Sequence, residues 1–383
     1  MAAFQFIGSD HPFFPQIASL REAIAKGPEK AAGENTSTRS LLRLDFSGPS
    51  PKLKWMYVSR QTWTSEPRRF EAITYLHRAD RMRVDRYEFP RDPKLNGLAP
   101  VLNEFRNDWN VLRYVPRRRL TVYTGDWIAK FVMATELTET IARLKMVEGI
   151  IAGNAGFIAS KVGEARQENG VFFQNIVPGA SLPSLIDSSS FLSFVKTAGN
   201  VSRRIHQRSH SGIPRMEPDS VLTMTKRDEA MLATFRGDLK NWLASVVKTL
   251  SQGLQSCKDE TVFCHGDFRA PHLLVNNTGD WGVVDFDGAV AADPHWEHAL
   301  FITSLKRELA MFADAGLHEQ AADAYRAGYE QEGGRVNREK LRWYRLAAEI
   351  HFLARSFQRD LYTPRLFAQS VCAIGKLSGV GTP

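Results

Sequence analysis

The chain has 383 residues, of which 43% are hydrophobic and 24% charged, with a formal net charge of +8. Those values exclude a largely disordered or fibrous chain and predict two or three compact units. No apolar run approaches the ~20 residues that span a bilayer. The N-terminus has neither a basic stretch nor a long apolar stretch, so no secretory leader is expected. Cys257, Cys264 and Cys372 are odd in number and lack CxxC spacing. Neither a disulfide framework nor a zinc module follows, and a reducing cytoplasm is the expected compartment.

The charge is uneven. Residues 1–120 hold 21 Lys and Arg against 13 Asp and Glu, while residues 121–383 hold 29 of each. An anion-binding face and a solvated basic surface both fit that excess. The first segment predicts a helix over 17–26 and a loop over 27–38. Strands follow over 41–46, 53–58 and 82–89. Pro90-Arg-Asp-Pro93 ends the last of these and leads into a short apolar helix over 95–102. Residues 111–115, 120–123 and 127–132 are short and β-rich, with tight turns at Pro116-Arg117 and Gly125-Asp126. They predict a three-stranded antiparallel meander.

Helical periodicity then covers 135–151, with Leu137, Ile141, Leu144, Val147 and Ile151 on one face. A buried strand is expected over 171–177, closed by Pro178-Gly179. Beyond it the pattern is mostly helical, at 189–209, 226–252 and four segments within 294–377. Short strands interrupt at 262–264, 273–275 and 282–285. Strand-rich first and helix-rich later, the chain reads as α+β with two lobes dividing near Pro178-Gly179.

The informative segment is Val262-Phe-Cys-His-Gly-Asp-Phe-Arg-Ala-Pro-His-Leu-Leu-Val275, followed by Val283-Val-Asp-Phe-Asp-Gly288. Each half is an apolar strand ending in an acid, Asp267 and Asp285. Carboxylates held at strand ends can converge in a cleft. One can orient and deprotonate a hydroxyl while the other holds Mg²⁺ against a polyphosphate. The same residues, with Asp293, His295 and His298, also admit a metallohydrolase reading. That reading lacks HExxH or a second close His.

His265-Gly-Asp267 with His272, then Asp285-Phe-Asp287, resembles the HGDxxxxN…DxD pattern of aminoglycoside and choline-type phosphotransferases. Asp293-Pro294-His-Trp-Glu297-His298-Ala299 resembles the GDPxxDLA segment of that family, with Glu297 in place of Asp. The resemblance covers about 110–380 and implies a two-lobed protein-kinase-like fold. It implies a β-rich N-lobe over 106–178, a helical C-lobe over 179–383, and an N-terminal extension of unknown role over 1–105. The segments 88–95 and 112–119 look like those of an uncharacterised subgroup.

The resemblance also implies roles. Asp267 would be the catalytic acid–base group, with Arg269 beside it touching the γ-phosphate or pairing an acid. Lys130 would contact the nucleotide phosphates, held by an ion pair with Glu148; Glu136 and Glu139 are rivals on the same helix. Gln174 and Ile176 would present hinge backbone to adenine. Arg117, in the turn that replaces a Gly-rich loop, would clamp phosphate. Asp285, Asp287 and His272 would hold the metal, with His272 standing where the family has Asn. An imidazole in that place leaves three outcomes: Asp285 and water hold the metal alone, Mn²⁺ is favoured, or activity is low. His265 is expected to hydrogen-bond backbone. The implied ligands are ATP, Mg²⁺ or Mn²⁺, and a small hydroxyl acceptor, with no nucleic acid and no membrane. The alternative is a degenerate kinase-fold scaffold that binds nucleotide or a partner without turnover.

Overall fold

The computed structural model describes backbone at 38–47, 52–60, 70–78 and 81–88. It also describes residues 89–383 apart from 106–108, 116, 153–155, 210, 258–259, 313–314 and 359–363. The helix expected over 17–26 lies outside the described residues. The first sheet is an antiparallel meander of β1 (Thr38–Ser47), β2 (Lys52–Arg60), β3 (Phe70–Arg78) and β4 (Arg81–Phe89), paired in chain order. After it comes a short helix, α1 (Leu98–Glu104).

The second sheet carries half of the site. Its strands are β5 (Asn110–Val115), β6 (Arg119–Tyr123), β7 (Trp127–Val132), β9 (Val162–Arg166) and β10 (Val171–Asn175), in the order β5-β6-β7-β10-β9. The three-stranded meander expected here is present as β5-β6-β7. One face of the sheet packs into a core with Phe89, Leu98, Val101 and Trp109, which meet Leu120, Val122, Phe131 and Val171. The segment from Phe89 to α1 is therefore built into the core of this sheet. Asp92, buried, fixes it further. Its carboxylate accepts from the Tyr114 hydroxyl at 2.8 Å and from the Arg117 backbone N–H at 2.7 Å. One short carboxylate thus ties the Pro-rich segment to the β5–β6 turn, where Arg117 sits at φ 63°.

The helix α2 (Ala134–Ile151) follows β7 and packs by Leu137 and Leu144 against Phe172 of β10. Four of the five expected apolar positions on it are buried. The helical lobe contains α3 (Phe191–His206), α4 (Pro218–Phe235), α5 (Lys240–Gln255), α6 (Pro294–Phe312), α7 (Ala315–Gln331), α8 (Arg338–Gln358) and α9 (Pro364–Ser378). The single helix expected over 226–252 is two, α4 and α5, divided by a short 3-10 turn at Gly237–Leu239. Four short strands form a sheet in the order β11-β13-β14-β8: β11 (Ala180–Ser181), β13 (Leu273–Val275), β14 (Trp281–Val283) and β8 (Ile158–Ala159). A ribbon pairs β12 (Val262–Cys264) with β15 (Val290–Ala292). These strands hold the acid-bearing loops over a core that includes Phe263, Phe268 and Val283. Among the described residues no helix is long and apolar enough to cross a membrane.

Glycine lets α3 and α7 cross in backbone contact. A Cβ on Gly199 of α3 would lie 2.0 Å from the Tyr325 carbonyl oxygen, and one on Gly328 of α7 would lie 1.8 Å from that of Lys196. Backbone contact of that kind leaves no room for a methyl group. Gly328→Ala is expected to lower unfolding free energy by about 1–3 kcal/mol. Gly149, exposed in α2 with open space around its Cα, gives the opposite expectation. Gly149→Ala should raise it by about 0.5–1 kcal/mol. Urea unfolding of the two variants beside the parent checks both signs.

Candidate active site

Register brings the first functional group into place. Arg113 of β5 pairs with Thr121 of β6, and Thr121 with Lys130 of β7. Lys130 pairs in turn with Phe172 of β10. Directly opposed residues share a face, so these four side chains point to one side of the sheet. That side is the roof of a cavity of about 780 Å³, within the usual range of ligand sites. Its floor comes from the turn just before β13, which contributes His272, and the loop after β14, which contributes Asp285 and Asp287. Gln174 and Ile176 line it at the end of β10.

Lys130 is buried, and its ammonium donates to Asp285 Oδ1 at 2.8 Å and Asp287 Oδ1 at 2.9 Å. Burial opposes its charge, but the Asp287 and Asp285 carboxylates outweigh that and hold its pKa above the ordinary lysine value. The same contact works on Asp285. Burial would raise its pKa, yet Lys130 above all, then His272, drive it far below the ordinary carboxylate value. Asp285 itself is left-handed at φ 69°, which turns its side chain into the cavity at the end of the strand run.

Asp267 occupies the neighbouring loop. Arg269 Nη2 donates to its Oδ2 at 2.6 Å, and Arg269 Nε lies 2.6 Å from its Oδ1. Burial opposes ionisation, but Arg269 and then His272 lower the pKa of Asp267 below its ordinary value. His272 links the two acids. Its Nδ1 lies 2.8 Å from the Asp267 carbonyl oxygen, which can only accept, so Nδ1 carries the proton. Nε2 is then the basic nitrogen. It accepts from Arg269 Nη2 at 3.2 Å and lies 3.8 Å from Asp285 Oδ2. Burial pushes the His272 pKa down to about 4, so the ring is neutral at pH 7.

His265 uses both ring nitrogens on backbone, donating to the Val284 carbonyl at 2.9 Å and accepting from the Asp267 N–H at 3.2 Å. It joins the two acid-bearing loops. Gly266, at φ +79°, lets them touch, because a Cβ there would lie 1.8 Å from the Gly288 carbonyl oxygen. Beneath them the fully buried Glu297 accepts from the Gly266 N–H at 3.3 Å.

Two expected contacts are absent from this arrangement. Glu148 does not pair with Lys130. Its carboxylate accepts from the Val162 backbone N–H, because its side of α2 faces β9. Glu136, Thr140 and Arg143 are the α2 residues on the cavity. Arg117 does not line the cavity either; Arg118 and Arg119 do. The Asp92 bond and the left-handed turn set its direction. Arg113 carries no sequence signal of its own, although strand alternation and the β5–β6–β7 register place it on the same face as Lys130, across Thr121.

The phosphotransferase enzyme family (APH) model matches residues 117–344. The chain belongs to that family. No curated protein matches it. Among solved structures, the aminoglycoside phosphotransferase APH(3'')-Id from Streptomyces rimosus is similar at 19% identity and TM-score 0.51, covering 67% of this chain and 98% of that one. The choline kinase LicA from Streptococcus pneumoniae is similar at 15% identity and TM-score 0.51, over 73% and 98%. A thermostable mutant of the aminoglycoside phosphotransferase APH(4)-Ia, solved with ADP and hygromycin B, is similar at 15% identity and TM-score 0.54, over 74% and 98%. These likenesses give the fold: protein-kinase-like, α+β, with a β-rich N-lobe, a helical C-lobe and an N-terminal extension.

The ion triad supplies the test of this site. The side chains of Lys130 and of the two aspartates are 11% and 27% exposed. Removing the ammonium leaves two close carboxylates without it. Lys130→Met is expected to cost about 2 kcal/mol, less than the ~3–5 kcal/mol of a fully buried pair. Adding Asp285→Asn should recover part of that loss. Urea unfolding of the single and double variants, without nucleotide or divalent metal, measures the coupling.

Proposed function

We propose that this protein transfers the γ-phosphoryl group of ATP to a hydroxyl of a small molecule. One observation carries the reading: Lys130, Asp285, Asp287 and His272 line one cavity, with Asp267 on the adjoining loop. The solved relative with bound ADP and an aminoglycoside supports the nucleotide part of it. In this reading the nucleotide lies between the sheet and the acid-bearing loops, its base at the backbone of Gln174 and Ile176. Arg113, Arg118 and Arg119 face its phosphates. The lobes run over 106–178 and 179–383, the extension over 1–105 packing its last part into the small lobe.

Asp267 orients the acceptor hydroxyl. Its lowered pKa makes it a weak base, so it takes the proton late, as the new O–P bond forms and the bond to ADP breaks. Arg269 keeps that carboxylate ionised and aimed. The donor set offers a divalent cation two carboxylates whose second oxygens Lys130 does not use, and the His272 Nε2 lone pair once Arg269 Nη2 gives it up. Asp285, Asp287 and His272 would hold it. When bound, such an ion neutralises phosphate charge. Carboxylates suit Mg²⁺, and the imidazole shifts preference toward Mn²⁺.

Asp267→Asn separates turnover from nucleotide binding. ADP formation in the presence of acceptor should fall by about 10² or more, the usual worth of a positioned acid–base group. The melting shift given by ATP should persist. A variant that turns over like the parent would remove Asp267 from the chemistry.

A further inference from the structure

A second cluster of ligand-type side chains lies behind the acid-bearing loops, outside the cavity. His206 ends α3, Cys264 ends β12, and Glu297 stands in the first turn of α6. Three separate elements converge there, without the close spacing that marks a zinc module in sequence. All three residues are buried, and the side chains of His206 and Glu297 have no exposed surface. His206 Nε2 lies 3.9 Å from Cys264 Sγ and 3.7 Å from Glu297 Oε1. The three ligand atoms all lie within 4.8 Å of one another.

Glu297 is the group left short. Its Oε2 accepts from the Gly266 N–H, but its Oε1 is buried with no N–H or O–H partner. The neighbouring buried acid Asp293 is matched by Lys340 and His295. Among the described residues, the basic group beside Glu297 is the His206 ring, and 3.7 Å is too long for a hydrogen bond. The Cys264 S–H, a weak donor, is close to Glu297 and brings no positive charge. A carboxylate buried without a cation is strongly unfavourable.

We infer that His206, Cys264 and Glu297 bind one structural Zn²⁺. The ion takes Cys264 as thiolate, and the thiol proton leaves to water as it binds. Thiolate and carboxylate then balance the two charges of the ion, with His206 neutral. Zinc bonds of about 2.0–2.3 Å set tetrahedral donors roughly 3.3–3.5 Å apart, so closure needs only a slight contraction of the distances here. The fourth position is open to a water or to the second Glu297 oxygen. The Tyr329 hydroxyl lies 3.0 Å from His206 Nδ1. With Nδ1 donating to it, Nε2 presents its lone pair inward, the usual outer partner of a metal-bound imidazole. Sulfur and imidazole select zinc over Mg²⁺. Cys264 directly precedes His265-Gly-Asp267, and Glu297 holds the Gly266 N–H. The ion therefore braces the Asp267 loop from behind and takes no part in the chemistry. The inference does not depend on the phosphotransferase reading.

Metal content of the full chain tests it. Protein produced with zinc and exchanged into metal-free buffer should retain about one zinc per chain by atomic emission. Cys264→Ala and, separately, His206→Gln should each lose that equivalent. Production with cobalt in zinc-poor medium adds a spectroscopic reading. A sulfur-to-cobalt charge-transfer band requires a thiolate ligand, which the nucleotide cavity does not contain. The band should survive in a Cys257→Ser, Cys372→Ser double variant and vanish in Cys264→Ala. If Cys264→Ala does not fold, the zinc content of the parent and the band in the double variant still decide the matter. Less than about a tenth of an equivalent of zinc in the parent overturns the inference. So does a cobalt protein without the band, or zinc and band that persist in Cys264→Ala.

Discussion

The site depends on one buried ammonium placed between two carboxylates. Lys130 comes from the sheet, and Asp285 and Asp287 come from a loop of the helical lobe, more than 150 positions later in the chain. Desolvation alone would make each of the three groups costly. The carboxylates keep Lys130 ionised, and Lys130 keeps Asp285 ionised. The contact also joins the two lobes at the point where a polyphosphate would enter, so lobe geometry and site electrostatics are one constraint.

The second layer is backbone. His265 ties the Asp267 loop to Val284, Gly266 allows that loop to rest on Gly288, and Glu297 takes the Gly266 N–H from below. His265, Gly266 and Glu297 do not line the cavity. They fix the separation of two acids that would otherwise sit on independent loops, which is what positioning requires. Arg269 and His272 then divide the polar work between the acids. Arg269 faces Asp267, and the neutral ring of His272 spans from the Asp267 carbonyl toward Asp285.

Much of the large-scale order was legible because it rests on local signals. The β5–β6–β7 meander, α2 and the short strands around the acid motifs follow from alternation, turns and helical period. β9 was not read, because Val162-Gly-Glu-Ala-Arg166 has no apolar run and takes its form from pairing with β10. β3 lies between arginines on both sides, which mask its alternation. The break at Gly237 was hidden by helix-forming residues on both sides. In the site, residues gathered in one motif, such as Asp267, His272 and Asp285, could be found together. Arg113 lies outside that motif, and only the β5–β6–β7 register brings it to the face that carries Lys130. The Glu148 contact failed for a related reason: periodicity gives the face of a helix, but its rotation against the sheet decides which side chain meets Lys130.

The central claim is that Lys130, Asp285 and Asp287 form a seat for a metal–nucleotide complex. Calorimetric titration of ATP, with and without Mg²⁺ or Mn²⁺, into the parent and Asp285→Ala tests it most directly. The account predicts tight binding that requires the metal and weakens at least tenfold in the variant. Binding indifferent to both metal and Asp285, or no binding at all, would contradict it.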